Sequence, residues 1–446
     1  MFIDSLLFVS AIIILIASIV LSVKTRFVQL RMLPYMIKSL FSGLTNKSNQ
    51  NGDMHTILPH KALFTAMSTT LGISTMISPV IAIQLGGPGA LIGYLLTTLL
   101  GSAATYTEVN FAVAHRKKLA SGKFMGGPMQ YLEDMLSPKM AKWYAFFCLL
   151  LMAAWSGAQS NQLAAILASD RLGSFSIPLP ITGLLLATLV ITILIGGIKR
   201  VAEFSSKIVP VMFGIYISAV CWILFSNIEK IPDLISLVVQ SALSPYQLAT
   251  GSVVGGLTSA LRWGTFKGIH SNEAALGTQT IPNSMAMADP VQQGVLAMAS
   301  TYTAGIVAIL SGFTALISNT WQDPHLGLGI NMVAATFEIY FANIGFPIIL
   351  ICALLFGIGT ALGNSYNGGH CFEYLTKNRY STLYFILSAV IIFIGAISDV
   401  SLFWGWSDVV LALVAAPHAC ALVLISYKKS RIQAAEQLEN ALLQTS

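Results

Sequence analysis

Between Thr65 and Pro79 the chain reads TAMSTTLGISTMISP, a crowd of Ser, Thr, Gly and Pro inside an otherwise apolar stretch. A helix interrupted near Gly72 and Pro79 leaves backbone amides and carbonyls unpaired. In hydrocarbon such groups are tolerated only when buried in protein or facing a polar cavity. The half-helix beyond the break aims free N–H groups and a positive dipole end at it, which suits a carboxylate. The carbonyls released on the other side are hard oxygen ligands for a small alkali cation. Small residues also serve plain close packing of helices, and for one span alone that reading is the stronger. Five spans later, however, comes GSVVGGLTSALRWGTFKG, with Gly251, Gly255, Gly256, Gly264 and Gly268, and it too reads as broken. Two interrupted spans at corresponding places in two five-helix halves are what an inverted-repeat transporter requires.

Ionisable residues in apolar surroundings are the other candidates for chemistry. Arg262 and Glu273 flank the inner half of the seventh span, as a gate that pairs when closed would, or as static support of the fold. Glu108, near the end of its span, reads as water-accessible and part of a structural ion pair. Asp408 follows FWGWSD and reads as a helix cap. His418 reads as bonded to a neighbour rather than titrating. Catalytic look-alikes fail on context: GPGALIG (87–93) has the wrong glycine spacing for a dinucleotide site, and the S-x-x-K at Ser426–Lys429 lies beyond the last span. Neither an enzyme nor a bound cofactor is expected. The five cysteines are isolated and the seven histidines scattered, so neither a disulfide framework nor a clustered metal site follows.

The elements that position these residues follow from composition. Of 446 residues, 55% are apolar and 9% charged, and mean hydropathy is +0.75; soluble chains carry about 25% charge. The solvent is therefore a bilayer, and the expected fold is an all-α integral membrane protein. Stretches able to cross roughly 30 Å of hydrocarbon fall at about 5–23, 61–85, 88–113, 142–168, 181–198, 207–226, 247–267, 291–317, 346–366, 381–398 and 402–426, eleven in all. Threaded from an outside N-terminus, they leave only Arg171 and Lys230 of 24 Lys and Arg in the outer loops. That asymmetry makes the other side cytoplasmic, with the C-terminus inside. The net charge of +6 is thus topology and gives no sign of nucleic acid. The expected organisation is an N-terminal transmembrane helix (1–26), an interfacial helix and polar linker (27–60), two five-helix repeats (61–226 and 227–426) and a cytoplasmic tail (427–446). No obligate protein partner is evident.

The runs LGGPGALIGYLLTTLLGSAATYTEVNFA (85–112), GGPMQYLED (126–134), GGIKRVAEFSSKIVP (196–210), FKGIHSNEAALGTQ (266–279), CFEYL (371–375) and WSDVVLALVAAPHACAL (406–422) resemble the alanine or glycine:cation symporter family. The resemblance covers nearly the whole chain from about residue 60. It implies a LeuT-like fold of ten core helices in a 5+5 inverted repeat, with discontinuous first and sixth core helices, plus one extra N-terminal helix. It implies a symporter in the plasma membrane (a prokaryotic inner membrane) that imports a small neutral amino acid, of alanine, D-alanine or glycine type, with sodium by alternating access.

Carried over by position, the carboxylate site falls on the backbone of Gly72, Ile73, Ser74 and Thr75. Gln159 and Asn161, from a Gln-Ser-Asn trio, would face the substrate; Trp263 and Phe266 would be wall residues. The sodium positions are Ser68, Leu71, Gly359 and Thr360. This chain departs from the family pattern in reading GIST in the break, in having Gly359 for a serine, in having Asn364 where tryptophan is common, and in having Gly369 where an acid follows the tyrosines. These changes make a roomier, more polar pocket and remove one hydroxyl ligand. A proton-coupled or exchanging carrier of another amino acid therefore stays open, as does a transport-dead sensor of the same fold.

Overall fold

The computed structural model describes residues 2–45, 56–119, 124–247, 253–326, 329–377 and 379–428. The polar linker, Gly251, Lys429 and the tail beyond it lie outside the described residues. The chain is nearly all helical. Helix α1 (Phe2–Lys24) is followed by the short α2 (Val28–Arg31) and by α3 (Leu33–Thr45). Then come α4 (Pro59–Thr70), α5 (Ile73–Gly86), α6 (Ala90–Ala114), α7 (Pro128–Met135), α8 (Pro138–Leu167), α9 (Leu179–Leu194), α10 (Gly197–Phe225) and α11 (Ile231–Leu243). The rest are α12 (Gly256–Ser259), α13 (Phe266–Asn272), α14 (Thr280–Asn283), α15 (Pro290–Ser318), α16 (Ile330–Phe341), α17 (Gly345–Leu375), α18 (Ser381–Ile397) and α19 (Val400–Lys428). Two minimal antiparallel pairs, Lys117–Lys118 with Phe124–Met125 and Pro245–Gln247 with Val253–Gly255, are the strands among the described residues.

Among the described residues seven helices are long and apolar enough to cross a membrane, and the bent pair α4–α5 makes an eighth. The expected eleven is not reached by that measure, because Leu179–Leu194 and Leu383–Ile397 are short apolar helices and the seventh expected span is divided among α12, a π-helical turn and α13. Lipid accounts for the outer surface: Leu184 and Leu185 of α9 and Trp222 and Phe225 of α10 are each about 60–70% exposed, apolar area that water would penalise.

The first break is where the sequence put it. Helices α4 and α5 meet at a 43° bend across Leu71 and Gly72, and both residues leave helical dihedrals (Leu71 φ −87°, ψ 82°; Gly72 φ −110°, ψ 178°). Pro79 is not part of it; it is carried inside α5.

The seventh span differs from expectation. From Gly256 to Asn272 the backbone stays helical, with Ala260–Thr265 widened into a π turn. Its glycines serve close approach: a Cβ on Gly264 would lie 2.0 Å from the Ala90 carbonyl oxygen, and one on Gly268 would lie 2.4 Å from Thr97 Oγ1. The unwound stretch comes after α13, where Glu273, Ala275 and Gly277 all have positive φ (52°, 59° and 89°). Left-handed geometry is disfavoured for the two non-glycine residues, so their surroundings must hold them there.

Around these elements α8 runs along α17 and α18, α6 along α15, and α1 along α19 and α6. Lys24 ties α1 to α19, with Nζ 2.8 Å from the Ser426 carbonyl and 3.1 Å from the Tyr427 ring centroid. Of the expected interfacial segment, Phe27, Leu30, Ile37 and Phe41 are exposed, while Val28 and Met32 are buried. The Tyr302 hydroxyl of α15 donates to the Gln29 carbonyl at 2.8 Å.

Candidate functional site

The break gathers side chains from three helices. A Cβ on Gly72 would lie 2.7 Å from Thr360 Oγ1 of α17, 3.0 Å from Gln159 Nε2 of α8 and 3.2 Å from Ser74 Oγ. Only glycine allows the backbone this close. The Ile73 N–H, first in α5, donates to Gln159 Oε1 at 3.0 Å, and Gln159 Nε2 donates to Ser74 Oγ at 3.2 Å. A carboxamide oxygen thus occupies the acceptor position expected of a carboxylate oxygen. The other expected amides are partly engaged within the chain: Gly72 N–H donates to Thr75 Oγ1 at 3.2 Å, whose hydroxyl donates on to the Thr70 carbonyl at 2.7 Å. Thr75 N–H reaches the Gly72 carbonyl at 3.0 Å. Ser74 N–H is second in its helix and has no intrahelical acceptor by geometry.

On the other side of the break three oxygens converge. Thr360 Oγ1 lies 3.0 Å from the Ser68 carbonyl and 3.2 Å from the Leu71 carbonyl. All are neutral and hard, the donor type an alkali cation takes. Gly359 adds no side chain, and a Cβ there would meet Ser68 only at 3.8 Å, ordinary contact distance. The four positions expected for sodium are therefore adjacent. Beside them Ser205 of α10 donates to Ser68 Oγ at 3.1 Å, a contact the sequence reading did not anticipate.

The remaining expected residues divide. Asn364 lies one turn beyond Thr360 on α17, is fully buried, and neither its Oδ1 nor its Nδ2 has a partner. Buried amides are rarely left so, and both atoms are available to a polar ligand. Asn161 is elsewhere: its Nδ2 donates to the Gly395 and Ser398 carbonyls of the α18 region at 3.1 and 2.7 Å. Two residues on a helix are about 200° apart, so Gln159 and Asn161 cannot face the same site. Trp263 is also away from the break. It packs against Gly86, thirteen residues along α5 from Ile73, or about 20 Å at helical rise. Phe266 is buried in the apolar cluster that includes Trp155 and Ile269. Sequence reasoning missed Trp155 Nε1, Ser156 Oγ and Thr265 Oγ1, buried polar atoms without partners. The available signal was the four-residue spacing of Trp155 and Gln159, which puts them on one face.

The charged residues are placed differently from expectation. Glu273 accepts hydrogen bonds from Thr278 and, at 3.4 Å, from Thr69, and the Arg262 guanidinium lies over the ring of its neighbour Trp263 at 4.6 Å. The expected gate pair is not joined in this conformation. Asp408 is no cap: it lies inside α19 and binds Lys267 of α13 with both oxygens, at 2.9 and 2.7 Å. His270 stands 3.6 Å away. Glu108 is fully buried and does not reach water, and its hydrogen bond among the described residues is from Gly277 N–H at 3.0 Å. His418 does bond its neighbours, Tyr131 and the Ala275 carbonyl.

Comparison with known proteins finds relatives along nearly the whole chain. A transporter of Haemophilus influenzae described as uncharacterized is 33% identical over 94% of this chain and 92% of its own. The sodium/alanine symporter AgcS of Methanococcus maripaludis is 31% identical over 92% and 89%, and the probable sodium/glutamine symporter GlnT of Bacillus subtilis 30% over 90% and 82%. Among solved structures, a sodium-coupled sialic acid symporter superposes with a TM-score of 0.55 at 15% identity, covering 88% of this chain and 85% of that one. The manganese transporter of Eremococcus coleocola gives 0.52 at 11%, covering 83% and 80%. The two solved structures share the fold of this chain, and the sequence relatives are membrane transport proteins, not enzymes. The profile of the sodium:alanine symporter family matches residues 2–440, and the chain belongs to that family.

Proposed function

We propose that this chain imports a small neutral amino acid together with sodium by alternating access, holding both at the break between α4 and α5. The observation that carries this is the Ile73 N–H at the start of α5, which already holds an oxygen of the Gln159 carboxamide. A substrate carboxylate takes that position when Gln159 turns aside. Sodium sits between the Ser68 and Leu71 carbonyls and the Thr360 hydroxyl. The two ligands then lie on opposite sides of one unwound turn, so each stabilises the other electrostatically. In this reading α4–α5, α6, α8, α9 and α10 form the first repeat and α12–α13, α15, α17, α18 and α19 the second. With α1 they make eleven crossings, N-terminus outside and C-terminus cytoplasmic, in a plasma membrane.

A second reading concerns the substrate. Both amide atoms of Asn364 are unpartnered, and an amide's donor and acceptor match those of a primary carboxamide. That favours a glutamine-type substrate over alanine, in keeping with the name of the Bacillus relative. The test for both readings is uptake into proteoliposomes under an imposed sodium gradient, with competition by a panel of amino acids. Accumulation that requires sodium supports the reading. Accumulation unchanged when choline replaces sodium, and abolished by a proton uncoupler, overturns the sodium assignment. Competition by glutamine but not alanine selects the second substrate.

A further inference from the structure

The unwound segment after α13, residues 272–279, is surrounded by oxygen atoms that nothing satisfies. Glu108 Oε1 of α6, Gln279 Oε1 and Asn367 Oδ1 of α17 are all buried and without a partner. The orientation of both amides is fixed by their other ends. Gln279 Nε2 donates to the Asn272 carbonyl at 2.7 Å and Asn367 Nδ2 to the Thr278 carbonyl at 3.3 Å. A carbonyl can accept only from the NH₂ end, so the bare atoms are oxygens.

Two buried carboxyls meet the segment, Glu273 within it and Glu108 from α6, neither ion-paired among the described residues. The basic side chains of α13, Lys267 and His270, are engaged with Asp408. His418 of α19 meets the Ala275 carbonyl with Nδ1, which therefore carries a hydrogen, and the Tyr131 hydroxyl with Nε2. Tyr144 donates to the Leu276 carbonyl at 2.9 Å. Against these three bare oxygens residues 272–279 offer one bare side-chain donor, Asn272 Nδ2, and a surplus of buried acceptors without a cation is costly.

We propose that this segment is a second monovalent-cation site, distinct from the one at Thr360, with ligands drawn from Glu108, Glu273, Gln279 and Asn367. The occupant is a sodium ion or a proton, each of which supplies the missing positive charge. The site is tied to the first, because Glu273 is bonded to Thr69, the neighbour of Ser68 on α4. Occupation relieves repulsion between the two acids and holds the left-handed residues Glu273 and Ala275 in place; loss of the cation frees the segment. The proposal rests on the transport reading only for its consequence, that the second cation governs opening at this end of the bundle.

The test is equilibrium binding of radioactive sodium to the purified full-length chain, with amino-acid binding followed across pH, for wild type, Glu108→Gln, Gln279→Met and Thr360→Ala. If sodium occupies the site, Glu108→Gln binds one ion fewer per chain and Gln279→Met weakens that ion about threefold or more. If a proton occupies it, both variants bind sodium as wild type does, and the pH dependence of wild-type amino-acid binding is lost in Glu108→Gln and shifted in Gln279→Met. Should Glu108→Gln fail to fold, Gln279→Met, which is close to isosteric, decides alone. Variants that match wild type in both sodium stoichiometry and pH dependence overturn the proposal. A sodium component insensitive to Thr360→Ala but lost in Glu108→Gln would instead sink the site at Thr360 and leave this one standing.

Discussion

At the scale of single residues, the account turns on Thr360 and Gly72. Removing the Thr360 hydroxyl leaves two carbonyls and no side-chain ligand. Thr360→Ala is therefore expected to lower sodium affinity about tenfold, about 1.4 kcal/mol, as read by sodium titration of purified protein with a normal melting temperature. A matching fall in melting temperature would mean the hydroxyl serves the fold. Gly72→Ala places a methyl 2.7 Å from Thr360 Oγ1 and 3.0 Å from Gln159 Nε2. The variant is expected to reach the membrane in normal amount but to lose amino-acid binding by at least about tenfold, measured by isothermal titration. Much of this was legible in the sequence, since Gly72 stands among Ser68, Thr69, Thr70, Ser74 and Thr75, a run that supplies both a break and polar groups to line it. The pairing of Gln159 with Asn161 was misread because residue type was weighed ahead of helical angle. Asn161 carries the right chemistry on the wrong face, where it satisfies the carbonyls of Gly395 and Ser398.

At the scale of elements, the seventh span shows where a glycine count misleads. Gly264 lets the π turn touch α6 backbone to backbone and Gly268 of α13 makes room for the Thr97 side chain, and the unwinding falls instead at Glu273–Gly277, which holds one glycine. Nothing local in Glu273 or Ala275 announces a left-handed conformation. It is imposed by bonds from α6, α8 and α19 to residues 275–277, long-range contacts that a single sequence does not display. The same holds for Lys267 and Asp408, which are 141 residues apart, the first unremarked in the sequence and the second read as a cap, yet make a bidentate pair between α13 and α19. The side chains are 5% and 14% exposed. Asp408→Asn leaves the Lys267 ammonium buried without its partner, and is expected to cost on the order of 3–5 kcal/mol of stability. Thermal unfolding in detergent reads this, and a Lys267→Asp, Asp408→Lys exchange should recover part of it. An unaltered melting temperature in Asp408→Asn would show that the pair bears no structural weight.

For the molecule as a whole, composition alone gave the bilayer, and the expected all-helical membrane fold agrees with the helices of the structure and with the solved transporters that superpose on it. The count of crossings was less accessible, since α9 and α18 are short and span length is the quantity on which hydropathy depends. What unites the whole is one unwound turn with the Ile73 N–H on one side and the Ser68 and Leu71 carbonyls on the other. If amino acid and sodium both bind there, their affinities are linked, and each must raise the other by the same factor. The direct measurement is titration of the purified chain with its amino acid, in sodium and again in choline, followed by titration with sodium at zero and saturating amino acid. The account predicts that sodium tightens amino-acid binding by about tenfold or more, that the amino acid tightens sodium binding equally, and that Thr360→Ala weakens both effects. An amino-acid affinity identical in sodium and choline would contradict it.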